Sequence, residues 1–539
     1  MISGESASPM KARLPPLGGL AAAWAVLVAA GIALRPVVPV DETRYLSVAW
    51  EMWLRHDLLV PHLNGQPYSD KPPMMFWLFH LGWSLFGVSE VWPRLVPGLL
   101  SLADAGLTAL LARRLWPDRP AVARLAPAVL LGLLLWAVFT TMLMFDLLVA
   151  FFELLALIAI HAAWSRWREG RGGGWACWIA AGVAMGLGIL SKGPVALLIP
   201  LLVAASAFWW GDGVPGRARW TGGALLSVSV AAAVALAWAL PAAHAGGPAY
   251  ARAILFSQTG ERVVSSFAHN RPWWWYLPLL PVMLFPYSLF PPVWRRLARL
   301  RPGVADPGVR FCLAWFVPAL IAFSLISGKQ PHYLLPLLPA FALVVARWLD
   351  DAREPARRLD LLPAAAVVIL AGLAIAAAPW LAPPGKLPDW AGLVSPLAGV
   401  ALVAGAVAVL ALPWLWRLPA APSLLGVLLV VGLLFGFHRV ARQVYDLRPI
   451  ARFVGGLERE GRPIAFVGLY HGELHFLGRL RRPFETIEPG MERAWIAAHP
   501  DGKVVEPIDD NRDLRRADYS QRYRQEALAV WGREALLGS

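Results

Sequence analysis

Thirteen apolar stretches joined by mostly short polar loops restrict this chain to one class of architecture. They fall at 16–34, 94–113, 124–141, 145–164, 175–190, 193–210, 222–241, 275–293, 311–327, 332–348, 361–381, 391–412 and 423–437. Roughly 20 apolar residues in a helix cross the hydrocarbon of a bilayer. There every backbone N–H and C=O must be satisfied without water, which a helix achieves and an open strand does not. With 58% hydrophobic and 16% charged residues, the expectation is an α-helical polytopic membrane protein of about 13 transmembrane helices. The first stretch, preceded by Lys11 and Arg13, resembles a signal peptide. No small-x-small cleavage pattern stands before Asp41, so it reads as an uncleaved span.

A net charge of +14 would suit nucleic acid if it were gathered on one surface. It is distributed by topology instead. Arg113, Arg114, Arg119 and Arg124 share one loop, Arg166, Arg168 and Arg171 another, Arg217 and Arg219 a third. The bias resumes at Arg295–Arg310 and at Arg347–Arg358. Basic residues mark cytoplasmic loops, so these loops and the N-terminus are assigned inside, and no nucleic-acid partner is expected. An odd number of spans then carries the polar segment 438–539 outside. Within it, 450–460 reads as a helix, 463–470 as a strand and 473–477 as either, which suggests a small α/β domain following a membrane domain at 1–437. Cys177 and Cys312 form no pattern for a disulfide framework or a metal. A monomer is expected.

The same alternation brings five loops to the outer face: 35–93, the turn at Phe145-Asp146, Ser191-Lys192-Gly193-Pro194, 242–274, and Ser327-Gly328-Lys329-Gln330-Pro331-His332-Tyr333. In the first, Leu46, Ala49, Trp50 and Trp53 have helical spacing over 42–55. Asn64-Gly65-Gln66-Pro67 is a turn, and 74–86 reads as a short interfacial helix. Asp41-Glu42-Thr43-Arg44-Tyr45 and Tyr68-Ser69-Asp70-Lys71-Pro72-Pro73 place acids, cations and phenols where a span meets water. A carboxylate there suits deprotonation of an acceptor, although an Asp in that place also serves as a helix cap. Asp146 sits between apolar runs, where an ionisable group is costly and a functional candidate by default. Lys71, Lys192, Arg262 and Lys329 suit a phosphate anion; the competing use of such cations is snorkelling at helix ends. Asp70, Glu261 and His269 are chemically suitable for a divalent metal, without compact ligand spacing.

Taken in order, these motifs resemble the bacterial aminoarabinose–lipid A transferases, which belong with protein O-mannosyltransferases among the GT-C membrane glycosyltransferases. The resemblance runs from the first external loop through Asp146, Ser191-Lys192-Gly193-Pro194, Arg262 with His269, Trp273-Trp274-Trp275-Tyr276 and Ser327-Gly328-Lys329 with Tyr333 to Arg448-Pro449. It implies a sugar carried on undecaprenyl phosphate and a soluble periplasmic α/β domain. It also implies Asp41 and Asp146 as essential acids, and Lys71, Arg262, Lys329 and Tyr333 around the lipid phosphate. From their places in the external loops, Glu42 is a further catalytic candidate, and Arg44, Tyr45, Tyr68 and Lys192 are further phosphate- or lipid-binding candidates. Asp70, with His269, would hold a metal, with zinc or magnesium/manganese as the candidates and no other cofactor. The chain departs from the family pattern at Ser257-Gln258, where relatives often carry a Glu-His pair.

The resulting expectation is a bacterial inner-membrane glycosyltransferase with its site on the periplasmic side. Nucleotide sugars are absent there, and no glycine fingerprint of a nucleotide-binding domain occurs. Lipid A or another envelope acceptor would receive the sugar; transfer to protein Ser/Thr is the alternative reading. A lipid or sugar transporter, from a different class, would call for inverted repeats and charges deep in several spans.

Overall fold

The computed structural model describes residues 17–257, 270–299, 306–351, 357–381, 389–509 and 514–538. Helices fill the first four-fifths of it, as the apolar runs require. Among the described residues eight helices are long and apolar enough to cross a membrane, nine if one bent pair counts as a span. They include α4 (Val91–Leu115), α7 (Asp146–Arg168) and α8 (Gly174–Lys192), then helical segments beginning at Arg217, Pro307, Pro331, Arg358 and Ala421. The bent pair is α5 (Pro120–Gly132) and α6 (Leu134–Thr140), turning by 74°. Other apolar stretches form shorter helices, among them α1 (Leu17–Leu34) and Pro396–Ala411. Proline accounts for much of this breakage, because each one removes a backbone donor and clashes with the preceding turn.

Between α1 and α4 the first loop folds on the bundle's end. The 42–55 periodicity is realised as α2 (Asp41–Arg55), with Leu46, Ala49 and Trp50 buried. Asn64 and Gly65 both take positive φ, 52° and 81°, which is the geometry of a two-residue hairpin turn. That turn joins β1 (His62–Leu63) to β2 (Gln66–Pro67). Apolar α3 (Met74–Phe86) packs on α2 through His80, whose ring bonds the Ala49 carbonyl at 2.7 Å.

The helix from Ala421 runs on to Tyr445 and is followed at once by Arg448–Arg459 and a five-stranded sheet. Its order is β4 (Glu485–Ile487), β3 (Ile464–Val467), β5 (Lys503–Asp509), β7 (Glu526–Trp531), β6 (Tyr519–Tyr523). β3 is parallel to β4 and β5, whereas β7 is antiparallel to β5 and β6. The sheet sits on the first loop through specific bonds. Ser47 donates to the Gly472 carbonyl at 2.6 Å and Trp50 Nε1 to the Leu480 carbonyl at 2.7 Å. Asn64 exchanges a reciprocal pair with the Phe484 backbone at 3.0 and 2.7 Å. Gly472 has φ +85°, and a Cβ there would stand 2.7 Å from Leu63; only glycine fits this approach.

His475 lies buried in the same seam. Its Nδ1 is 2.6 Å from the Tyr470 hydroxyl and its Nε2 3.1 Å from the Arg482 carbonyl. Burial lowers its pKa to about 4. The neutral ring's contribution is therefore complete above its ordinary pKa of about 6.5 and is lost as pH falls towards 4, by as much as roughly 3 kcal/mol. The thermal midpoint of the protein is expected to drop between pH 6.5 and 4.5, and to drop less in His475→Gln. Equal pH dependence in the two proteins would remove this histidine from the account.

Candidate active site

The site is assembled where α1 ends and α2 begins. Arg35 reaches back to Glu42 at 2.7 Å and to the Thr141 carbonyl. Glu42 is buried and fully engaged: one oxygen accepts from Arg35 and from Val38 N at 2.8 Å, the other from Leu143 N at 2.8 Å. It therefore ties the loop between α1 and α4 to the turn that precedes α7. A carboxylate this enclosed is stable only because cation and backbone donors surround it.

Asp41, one residue earlier, is the opposite case. Its side chain is 51% exposed and pairs with Arg44, with the Tyr45 hydroxyl 3.4 Å away. Burial disfavours the Arg44 charge, but Tyr68, Tyr45 and Asp41 outweigh it and hold its pKa above the ordinary value. Burial, helped by Asp41, pushes the Tyr45 phenol well up, so it remains a hydrogen-bond donor. Tyr68 is buried beside this group, while Asp70 and Lys71 lie at the surface of the same loop. The domain after the last helix supplies a neighbour: His471 feels the charges of Arg44, Arg524, Asp70 and Asp41. Burial and the two arginines lower its pKa, so it presents a neutral ring beside Asp41. No spacing along the chain connects positions 41 and 471, and sequence reasoning missed it.

Opposite this cluster, α7 begins with Asp146 and α8 ends with Lys192. The two form a buried ion pair, and the Lys192 ammonium also sits 4.6 Å from the centre of the Tyr333 ring. Among the described residues Oδ2 of Asp146 accepts no hydrogen bond. Glu153, two turns further along the same face of α7, is buried within electrostatic reach of both. An acid inside a span was the available signal for it, and it went unread. Neighbouring His332 senses Asp146, Lys192, Lys71 and Asp41, and Tyr45 packs edge-on against Phe145 at 4.8 Å. Residues of loops one, three, five and nine thus lie together in one cluster.

Lys329 is placed differently. It is buried, and its ammonium donates to the Arg271 carbonyl at 2.9 Å and to the Ile326 carbonyl. It clasps loop nine to the segment entering at Asn270, which also bridges Gly328. Arg262, Glu261 and His269 lie outside the described residues. Among the described residues no three His, Cys, Asp or Glu side chains converge on a metal position, so Asp70 stands as the one described member of the expected metal pair.

Relatives match both the sequence and the fold of the chain. The family profile of dolichyl-phosphate-mannose-protein mannosyltransferases matches residues 70–242. The undecaprenyl phosphate-alpha-4-amino-4-deoxy-L-arabinose arabinosyl transferase 1 of Pseudomonas fluorescens is 32% identical over 409 residues, covering 73% of this chain and 68% of that one. The enzyme of the same name from Pseudomonas paraeruginosa is 34% identical over 349 residues, covering 63% and 61%. Among solved structures, ArnT from Cupriavidus metallidurans bound to undecaprenyl phosphate shares the fold, with a TM-score of 0.73 at 20% identity over 95% of this chain and 97% of that one. With identity of this degree extending over two thirds of a named relative, and the fold shared almost end to end, the chain belongs to the undecaprenyl phosphate–aminoarabinose arabinosyl transferases, membrane glycosyltransferases that draw on polyprenyl-phosphate-linked sugars.

Proposed function

We propose that this protein transfers 4-amino-4-deoxy-L-arabinose from undecaprenyl phosphate to a phosphate of lipid A at the periplasmic face of the inner membrane. The observation that carries the reading is the gathering of Asp41, Arg44, Tyr45, the Asp146–Lys192 pair and Tyr333 into one cluster of acids, cations and phenols. An acid beside several cations suits an anionic donor and an anionic acceptor together. The names of the relatives supply the sugar and its carrier.

In the proposed reaction an acceptor phosphate oxygen attacks the anomeric carbon as the bond to the carrier phosphate breaks. Asp41, half exposed and held by Arg44, takes the acceptor's proton. Arg44, Lys71 and Lys192 neutralise the departing undecaprenyl phosphate, with Arg262 joining them. Tyr45, Tyr68 and Tyr333 frame the phosphate. Asp146 fixes Lys192, and Glu42 fixes the loop on which Asp41 stands. Lys329 secures the wall formed by loop nine. His269, the expected metal partner of Asp70, lies outside the described residues, and no step is routed through a metal.

The topology proposed is thirteen crossings. The eight long helices and the bent pair are completed by α1, 193–210, 275–293 and Pro396–Ala411, with 1–437 as the membrane domain and 438–539 outside. A cysteine at Glu492 is then expected to react with an impermeant thiol reagent in intact spheroplasts, and cysteines at Arg119 and Gly170 only after lysis. Labelling of position 492 solely after lysis overturns the external address of the domain. The function itself is tested by mass spectrometry of lipid A from cells with and without the gene. An added mass of one aminopentose is expected, and its absence alongside a new modification elsewhere in the envelope would reassign the acceptor.

A further inference from the structure

The seam between the first loop and the external domain holds a second basic site, separate from the cluster around Asp41. A cavity of about 320 Å³ is lined by Glu90, Arg448, Arg452, Arg459, Leu477 and Arg479, among others. Three of the arginines come from the helix Arg448–Arg459. Spacings of four and seven residues put them on one face of it. The fourth, Arg479, follows the short helix His475–Gly478 in the left-handed conformation and lies over the rings of Trp50 and Phe476.

The balance of charge is uneven. Arg448 is answered by Asp446 at 2.6 Å and Glu90 at 3.2 Å. Among the described residues Arg452, Arg459 and Arg479 have no carboxylate in an ion pair. Like charges brought together in one hollow repel, and an anion relieves that repulsion. Guanidinium groups are suited to phosphate because their planar fork matches its oxygens.

The position identifies the source of the phosphate. Glu90 immediately precedes α4, so the cavity opens where a span leaves the membrane. On that side Leu85, Phe86 and Val91 are exposed, as an element in contact with acyl chains would be. Arg479 covers Trp50, six residues along α2 from Arg44. At about 1.5 Å per residue this sets the second basic site roughly 9 Å or more from the first. A lipid carrying two phosphates on one headgroup could occupy both.

We propose that this arginine cavity binds the second phosphate of a bis-phosphorylated acceptor lipid while the first is glycosylated beside Asp41. The inference rests on the proposed lipid A acceptor and adds the feature by which that acceptor is selected. The full chain in nanodiscs would be titrated with bis-phosphorylated lipid A and with its monophosphorylated form, with binding read by native mass spectrometry and transfer followed in parallel. Wild type is expected to prefer the bis-phosphorylated lipid by roughly 10- to 100-fold, the value of one charge-assisted contact. Arg452→Gln/Arg459→Gln should lose that preference, raising KM for the bis-phosphorylated lipid with kcat retained. Lysine at both positions should restore part of it. Equal binding of the two lipids by wild type, or an undiminished preference in the double variant, overturns the proposal. So does displacement of the lipid by micromolar inorganic phosphate, which would mark a site for a soluble anion. A binding preference without any transfer to lipid A would leave the site standing and bring down the proposed reaction instead.

Discussion

Lys192→Met is expected to abolish transfer and to lower stability by about 3–5 kcal/mol, because it strands the Asp146 carboxylate in a buried setting. Asp146 has no other hydrogen-bond donor among the described residues, and Glu153 lies within electrostatic reach of the same pair. Adding Asp146→Asn to Lys192→Met removes the orphaned charge, so the double variant should regain most of the lost stability. It should not regain activity, since the cation facing the carrier phosphate is still missing. Thermal midpoints of the two single variants and the double variant, read beside turnover, separate the two roles. Recovery of both stability and turnover in the double variant would leave Lys192 a purely structural residue.

Asp41→Asn is expected to behave in the contrary way. The side chain is half exposed and its partner Arg44 keeps other neighbours, and an exposed pair of this kind contributes at most about 1 kcal/mol. Stability should therefore change little. Removal of a general base costs about 10²–10⁴-fold in rate, so turnover should fall by that factor with donor binding retained. The neighbouring substitution Glu42→Gln offers the contrast. It removes the charge that pairs with Arg35 and sets an NH2 donor against either Leu143 N or the Arg35 and Val38 donors, and its loss of activity should come with a lowered melting temperature. A fully active and stable Asp41→Asn protein would mean that the acceptor needs no base, or finds it elsewhere.

Local features of the chain were legible before the structure. The spacing of Leu46, Ala49 and Trp50 marked α2, and Asn64-Gly65 marked the hairpin. Each of these depends on neighbours within a few residues. The pairings were not legible. Glu42 reads as an acid at the mouth of a site, yet its partner Leu143 N is 101 positions away. Lys192 and Asp146 were each singled out, but nothing in either motif says that one neutralises the other across 46 residues. Lys329 beside a glycine looks like Lys192 beside a glycine; the carbonyls of Arg271 and Ile326 that occupy it belong to the fold. The last thirty residues resisted assignment for another reason. β6 carries Ser520, Gln521 and Arg522 in succession and β7 is buried at every position after Glu526, so neither shows the two-residue rhythm of a half-exposed strand.

The bonds between α2 with its hairpin and the sheet bear on how this protein can be recombined with its relatives. Ser47, Trp50 and Asn64 each address a backbone group between 472 and 484, and Gly472 leaves no room for a different surface beneath it. A chimera that exchanges only the stretch after Tyr445 would join two faces that did not evolve together. Segments 41–68 and 447–538 form a single unit of inheritance split in the gene by almost the entire membrane bundle. A functional hybrid would have to carry both halves across at once.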